Sequence, residues 1–106
     1  MKIRRFTGKI YWNADKMSTI PRAFFDPTNN SFRLEYDATE DFPSDQANLT
    51  SPDGFNFSGK AVNDLSSRIK LRFYDTNGKA ALVGIWNDFE NHLCVIELEE
   101  VDAFKD

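Results

Sequence analysis

The chain carries one histidine, His92, so any device built on imidazole rests on that single ring. A zinc site takes three or four His, Cys or acidic ligands, and Cys94 is the only thiol. A Ser-His-Asp triad needs a positioned serine, and the sequence has no Gly-x-Ser-x-Gly elbow. Glu40 and Asp41 are the kind of paired carboxylates that do acid–base work, but they sit in a polar stretch that keeps acids solvated. Residues 37–45 offer oxygen ligands for calcium, without the EF-hand spacing or its central glycine. We therefore expect a non-enzymatic protein with no cofactor or metal, in which His92 is a hydrogen-bonded rim residue.

Binding chemistry is the stronger signal. Trp12, Tyr36 and Trp86 each end an apolar alternation, and the segments beside them hold Asp15, Asp37, Glu40, Asp41, Asp45, Asp64, Asp88 and Glu90 against Lys16 alone. Aromatic faces ringed by carboxylates favour a cation. Each cation–π contact contributes roughly 0.5–2 kcal/mol when partly desolvated, and an acidic opening steers cations inward. The expected ligand site is Trp12, Tyr36, Trp86, His92, Asp37 and Asp88, taking a small cationic or amine ligand. The competing reading is that the aromatics plug the fold and the acids only solubilise the loops.

For those residues to meet, the elements bearing them must end on the same side. Tight-turn signals occur at Asp26-Pro27-Thr28-Asn29-Asn30, Ser51-Pro52-Asp53-Gly54 and Asp75-Thr76-Asn77-Gly78. Longer connections are expected around 13–18, 38–46, 62–67 and 87–91. In an up-and-down β fold, alternate connections fall at opposite ends, so the acidic connections would share one end. Asn77-Gly78 reads as a type I′ hairpin turn with positive φ at both residues. It pairs Phe73 with Leu82, Leu71 with Gly84 and Ile69 with Trp86 on one face. A five-residue loop, 87–91, then sets Trp86 opposite His92, Gly84 opposite Cys94 and Leu82 opposite Ile96. A slip of one residue would turn Glu97 into the core, because the side-chain period is two, and an unpaired buried carboxylate is costly.

Upstream, Phe25 faces Phe32 and Ala23 faces Leu34, with Arg22 and Glu35 paired outside for about 0.2–1 kcal/mol. Pro52 and Gly54 suggest a type I turn with a bulge, which places Leu49 opposite Phe57. The first strand alternates Phe6, Gly8, Ile10 and Trp12 inward. The strands predicted are 2–12, 19–26, 31–37, 46–51, 54–61, 68–75, 79–86 and 92–99, with one helical turn in the tail 100–106 seating Val101 and Phe104. Phe6-Thr7-Gly8-Lys9 and Phe57-Ser58-Gly59-Lys60 look alike, echoed by Leu82-Val83-Gly84. We read Gly8, Gly59 and Gly84 as relief of crowding in a small, coiled barrel.

The chain has 106 residues, enough for a single domain, 1–106, with one core. Its 41% hydrophobic and 14% aromatic content supports that core without metal or disulfide. A net charge of -4 argues against a dedicated nucleic-acid binder. Arg4, Arg5, Lys9, Tyr11, Lys70, Arg72 and Tyr74 do interleave basic and aromatic groups in the manner of single-strand binders, but nucleic acid is not the expected partner. Cys94 lies in an apolar strand pattern and reads as a small core residue. Together with basic N-terminal residues not followed by an apolar region, it points to a cytoplasmic setting. No apolar run reaches membrane-spanning length, so no membrane partner is expected.

Eight antiparallel strands in sequential hairpins resemble the calycin-type barrels of the lipocalin and avidin families. That resemblance implies a ligand in the barrel mouth. The lipocalin Gly-x-Trp signature lies on the first strand, whereas Gly84-Ile85-Trp86 has that spacing on the seventh, so no functional residue carries over. The expected fold is all-β, an eight-stranded antiparallel up-and-down meander barrel, with a two-sheet sandwich as the alternative. The alternative function is a homodimer joined through an apolar outer face of Tyr11, Phe24, Tyr74, Val83 and Ile85, part of which Phe104 could cover instead.

Overall fold

The structure, a computed structural model, describes residues 2–13 and 15–104. Eight strands follow one another: β1 (Arg4–Trp12), β2 (Lys16–Asp26), β3 (Ser31–Tyr36), β4 (Asp45–Thr50), β5 (Asn56–Ala61), β6 (Asp64–Thr76), β7 (Lys79–Asn87) and β8 (Asn91–Val101). Each pairs antiparallel with its neighbours. β1 also pairs with β8 from Arg5↔Val101 to Trp12↔Cys94, so the meander closes into a barrel rather than leaving the open edges of a sandwich. Closure leaves no strand at an unpaired edge.

The period-two alternation decides which side chains fill the interior. Ile10, Ile20, Leu34, Leu49, Ile69, Leu82, Cys94 and Ile96 are essentially without solvent contact at mid-height. Burial pushes the Cys94 thiol up to about 12, so the group is neutral and unreactive. Such a narrow barrel needs close main-chain crossings, and glycines supply them. A Cβ on Gly8 would lie 1.9 Å from the Glu97 carbonyl oxygen, and one on Gly59 would lie 1.8 Å from that of Asn48. Gly84 meets the Lys70 carbonyl in the same way. The paired residue is a leucine each time: Leu98, Leu49 and Leu71.

The registers Phe73↔Leu82, Trp86↔His92, Gly84↔Cys94, Phe25↔Phe32 and Arg22↔Glu35 are those the sequence predicts. Four local expectations need correction. Leu49 pairs with Gly59, not Phe57. The Asp53 carboxylate accepts the amides of Phe55 and Asn56 at 2.9 and 2.8 Å, and this lengthens the turn by two residues while preserving the face. At Asn77-Gly78 only Gly78 has positive φ, 78°, so the turn is not type I′. Its carbonyl is held instead by the Glu100 amide, 2.8 Å away. The 13–18 and 62–67 connections shrink to residues 13–15 and 62–63, because β2 and β6 start early. In β6 this is possible because the buried Ser67 hydroxyl accepts the Ala61 amide at 2.9 Å and donates to the Asp64 carbonyl at 2.6 Å, bridging a bulge. Finally, β8 runs on to Val101, and residues 102–104 form no helical turn. Phe104 packs edge-on against Phe24 at 5.2 Å, and residues 105–106 lie outside the described part.

One end of the barrel is sealed. Phe6, Phe25, Phe32, Phe57 and Phe73 interlock there, with ring centroids 4.7–6.4 Å apart. Over them lies Arg4, its guanidinium 5.1 Å from the Phe6 ring. Arg4 shares the inward side of β1 with Phe6, so it caps the barrel axis and does not join an outer basic patch. It donates two hydrogen bonds to Asp75, at 2.7 and 3.0 Å, and two to Glu100, at 2.9 and 3.1 Å. These bonds tie β1 and β8 to β6 across the end.

Candidate functional site

The other end opens into a cavity of ≈ 300 Å³. Its floor is made by Trp12 at the end of β1, Tyr36 at the end of β3 and Trp86 near the end of β7. Each is the last inward residue of its strand. Their rings meet edge to face in all three pairs, 5.5, 5.6 and 5.8 Å between centroids. All three are at least nine-tenths buried. The rings thus close the barrel below and leave a cup above them. Phe42, from the connection 37–44, extends the wall at 5.9 Å from Trp12.

Carboxylates stand around this cup, and Asp45, Asp64 and Asp88 line it directly. Asp45 is directly opposite Tyr36 in the β3–β4 hairpin and therefore shares its inward face. Asp64 is opposite Ala61 at the start of β6. Burial first, then the charges of Asp45 and Asp64 and more weakly that of Asp88, raise the Tyr36 phenol well above its ordinary range. The phenol therefore stays neutral, and it marks the point on which the three negative charges converge.

Asp88 is held by the loop it begins. Burial acts to raise its carboxyl, but the Phe89 amide at 2.6 Å, the His92 ring at 2.9 Å and the Glu90 amide outweigh it. The net shift is downward, and Asp88 remains charged. His92 is locked from both sides. The Asn13 side-chain Oδ1 accepts the Leu93 amide at 3.1 Å, so its Nδ2 faces His92 Nδ1 at 3.0 Å and donates to it. Nε2 must then carry the proton shared with Asp88. The hydrogen-bond network assigns this tautomer, and it leaves neither ring nitrogen free. Asn13 can take this position because its φ is 52°, a left-handed conformation that asparagine tolerates.

Among the described residues, Lys16 is the one lysine or arginine lining the cavity. Its ammonium sits 3.1 Å from Asp41 and 5.6 Å from the Phe42 ring centroid. The wall thus already holds one cation between a carboxylate and an aromatic face.

Five of the six residues singled out from sequence, Trp12, Tyr36, Trp86, His92 and Asp88, line this cavity. Asp37 does not. It follows the inward Tyr36 and so turns outward, where its amide donates to the Thr19 carbonyl at 3.0 Å and its carbonyl accepts the Ser18 hydroxyl at 2.6 Å. It belongs to a shallow outer depression with Asp15, Thr19 and Glu40. Asp45 and Asp64 hold the places nearer the floor. The signal that finds Asp45 is its register opposite Tyr36; Asp64 is found only once the β6 bulge is known.

Among the described residues, no three His, Cys, Asp or Glu side chains are grouped as metal ligands would be. Nor does any helix there have the length and apolarity to cross a membrane. No protein-family model matches the chain, and no curated protein matches it either.

Proposed function

We propose that the open end binds a small cationic or amine-bearing ligand, without catalysis. The reading is carried by the convergence of Asp45, Asp64 and Asp88 on a cavity floored by Trp12, Tyr36 and Trp86. The rings supply polarizable, electron-rich surface where a cation loses water, and the carboxylates supply the field that draws it in. A neutral ligand would gain the apolar contact but not the field. An anion would meet three carboxylates with Lys16 already engaged by Asp41.

Thermal unfolding with 2-phenylethylamine tests this. A ligand that binds only the folded chain raises its stability by about 2.7 kcal/mol at a hundred times its Kd. The expected result is a concentration-dependent rise in Tm. Asp45→Asn with Asp64→Asn should weaken binding by about tenfold, from roughly 0.5–1 kcal/mol per rim charge. No rise at millimolar amine removes the proposal.

A second reading has its own observation. Tyr11 pairs with both Met17 and Val95, Val83 pairs with Val95, and Ile85 pairs with Leu93. These rows form one outward apolar patch across four strands. Beside it runs a groove of ≈ 490 Å³ with Tyr11, Tyr74 and Ala81 along it and Lys9, Lys79, Glu97 and Glu99 at its borders. Mixed charge around an apolar strip suits a two-fold contact with a second copy. Phe24, expected on this face, is covered instead by Phe104 and by the Arg33 guanidinium at 4.2 Å. Sedimentation at high micromolar concentration should show a dimer if this face is used; a monomer there eliminates it.

A further inference from the structure

The rim of the cavity is apolar in a way that the cavity itself does not explain. Phe89, in the β7–β8 loop, lines the cavity and is 98% exposed; Val62, in the β5–β6 turn between the lining residues Ala61 and Asn63, and Leu65, next to the lining Asp64, are 44% and 72% exposed. β6 and β7 are neighbours and pair as far as Arg68↔Asn87, so both loops rise from adjacent strands at the open end. Single exposed apolar residues need no account, but neighbouring ones bordering a binding cavity mark a contact surface. Leu65 and Val62 do not line the cavity. A free amine inside it would leave both in water.

We propose that the cation is a lysine or arginine side chain carried by another polypeptide, whose flanking apolar residues cover Phe89, Leu65 and Val62. This rests on the reading of the cavity as a cation site. A volume of ≈ 300 Å³ gives room for one long side chain. The charge is complementary, because the loops at this end are acidic and Lys16 is already paired with Asp41. The closed barrel also has no free strand edge on which a peptide could add as a further strand. A partner must therefore be held through side chains: one basic group in the cup and apolar groups on the rim.

Titration calorimetry with two probes separates this from capture of a free amine. One probe is the acetylated, amidated peptide Ala-Leu-Lys-Leu-Ala; the other is butylamine, the same headgroup without the chain. The peptide is expected to bind at least about tenfold more tightly. Val62→Ser with Leu65→Ser should weaken the peptide about fivefold and leave butylamine unchanged. Both positions are exposed, so an unaltered Tm for the double variant is the check on folding. Equal affinity of the two probes, or a double variant that binds the peptide as the parent does, overturns the polypeptide partner while the cation site stands. Failure of both probes to bind overturns the cation site and this inference together.

Discussion

Both ends of this barrel are closed by aromatic rings, yet the two sets of rings differ in kind. At the sealed end five phenylalanines interlock, and the polar groups above them, Arg4, Asp75 and Glu100, satisfy one another. Phenylalanine has no polar atom, so such a cluster offers water no hydrogen-bonding group and gains from its mutual ring contacts. At the open end the rings are Trp12, Tyr36 and Trp86, flanked by His92, all with a polar edge. Their nearest carboxylates, Asp45, Asp64 and Asp88, line a cup in which Lys16, the one lysine or arginine among the described lining residues, is bound to Asp41 instead. Similar strand ends thus lead to a plug whose two carboxylates share the Arg4 guanidinium and to a cavity whose three carboxylates hold no lysine or arginine among the described residues. Ring chemistry and ion pairing, more than loop length, separate structure from candidate site.

This contrast predicts that the ends respond differently to truncation. Phe32→Ala removes a ring that touches Phe6, Phe25, Phe57 and Phe73. It should cost about 3–5 kcal/mol of unfolding free energy, the range for a buried Phe. Phe42→Ala, on the half-exposed wall of the cup, should cost about 1 kcal/mol. Urea denaturation of both variants measures the difference, and equal losses would erase the distinction between plug and cup.

A smaller effect tests the ion cluster at the sealed end. Arg4→Ala leaves Asp75 and Glu100 facing each other without their shared cation. The loss should be about 1 kcal/mol at low salt and less at high salt, since the cluster is partly exposed. Removing Lys16 from Asp41 at the open end should change stability by less than that, because both side chains are about half in solvent. A larger penalty for Lys16→Ala than for Arg4→Ala would reverse the assignment of the two ends.

The smallest effect is on acid stability. Asp53, in the turn at the sealed end, is held well below the usual carboxylate range, chiefly by the Asn56 and Phe55 amides. Asp88, at the open end, is lowered by its loop amides and His92 against the opposing effect of burial. A carboxyl whose folded pKa lies below its unfolded value contributes fully above about pH 4 and loses that contribution as pH falls through the folded pKa. Asp53→Ala should therefore flatten the decline in stability below about pH 4 more than Asp88→Ala does. Urea midpoints from neutral pH down to acid provide the comparison; identical profiles for the variants and the parent would contradict it.

The hairpin around Asn77-Gly78 was legible from its turn pair, and the one at 87–91 because one residue of slip would have buried Glu97. Alternation fixes a register only to within two residues, however, and the β4–β5 pairing shifted by that amount. Its cause is a single carboxylate, Asp53, capping two amides. The early start of β6 was hidden for a similar reason, since it depends on the Ser67 hydroxyl standing in for a ladder partner. The floor of the cup could be read from strand ends alone. Of its acids Asp88 was singled out, but Asp45 and Asp64 were not, because loop composition does not say which carboxylate faces inward. Pairing does, and it favours Asp45 opposite Tyr36 over Asp37 beside it.

The central claim is that the open end prefers a positive charge to a neutral group of the same shape. The chain has two tryptophans, and both Trp12 and Trp86 line the cup, so intrinsic fluorescence reports on this site. Titration at neutral pH with 2-phenylethylammonium and with 2-phenylethanol tests the claim most directly. The account predicts a saturable change with the cation at concentrations about tenfold lower than with the alcohol. Equal responses to the two, or no saturable response to the cation, would contradict it.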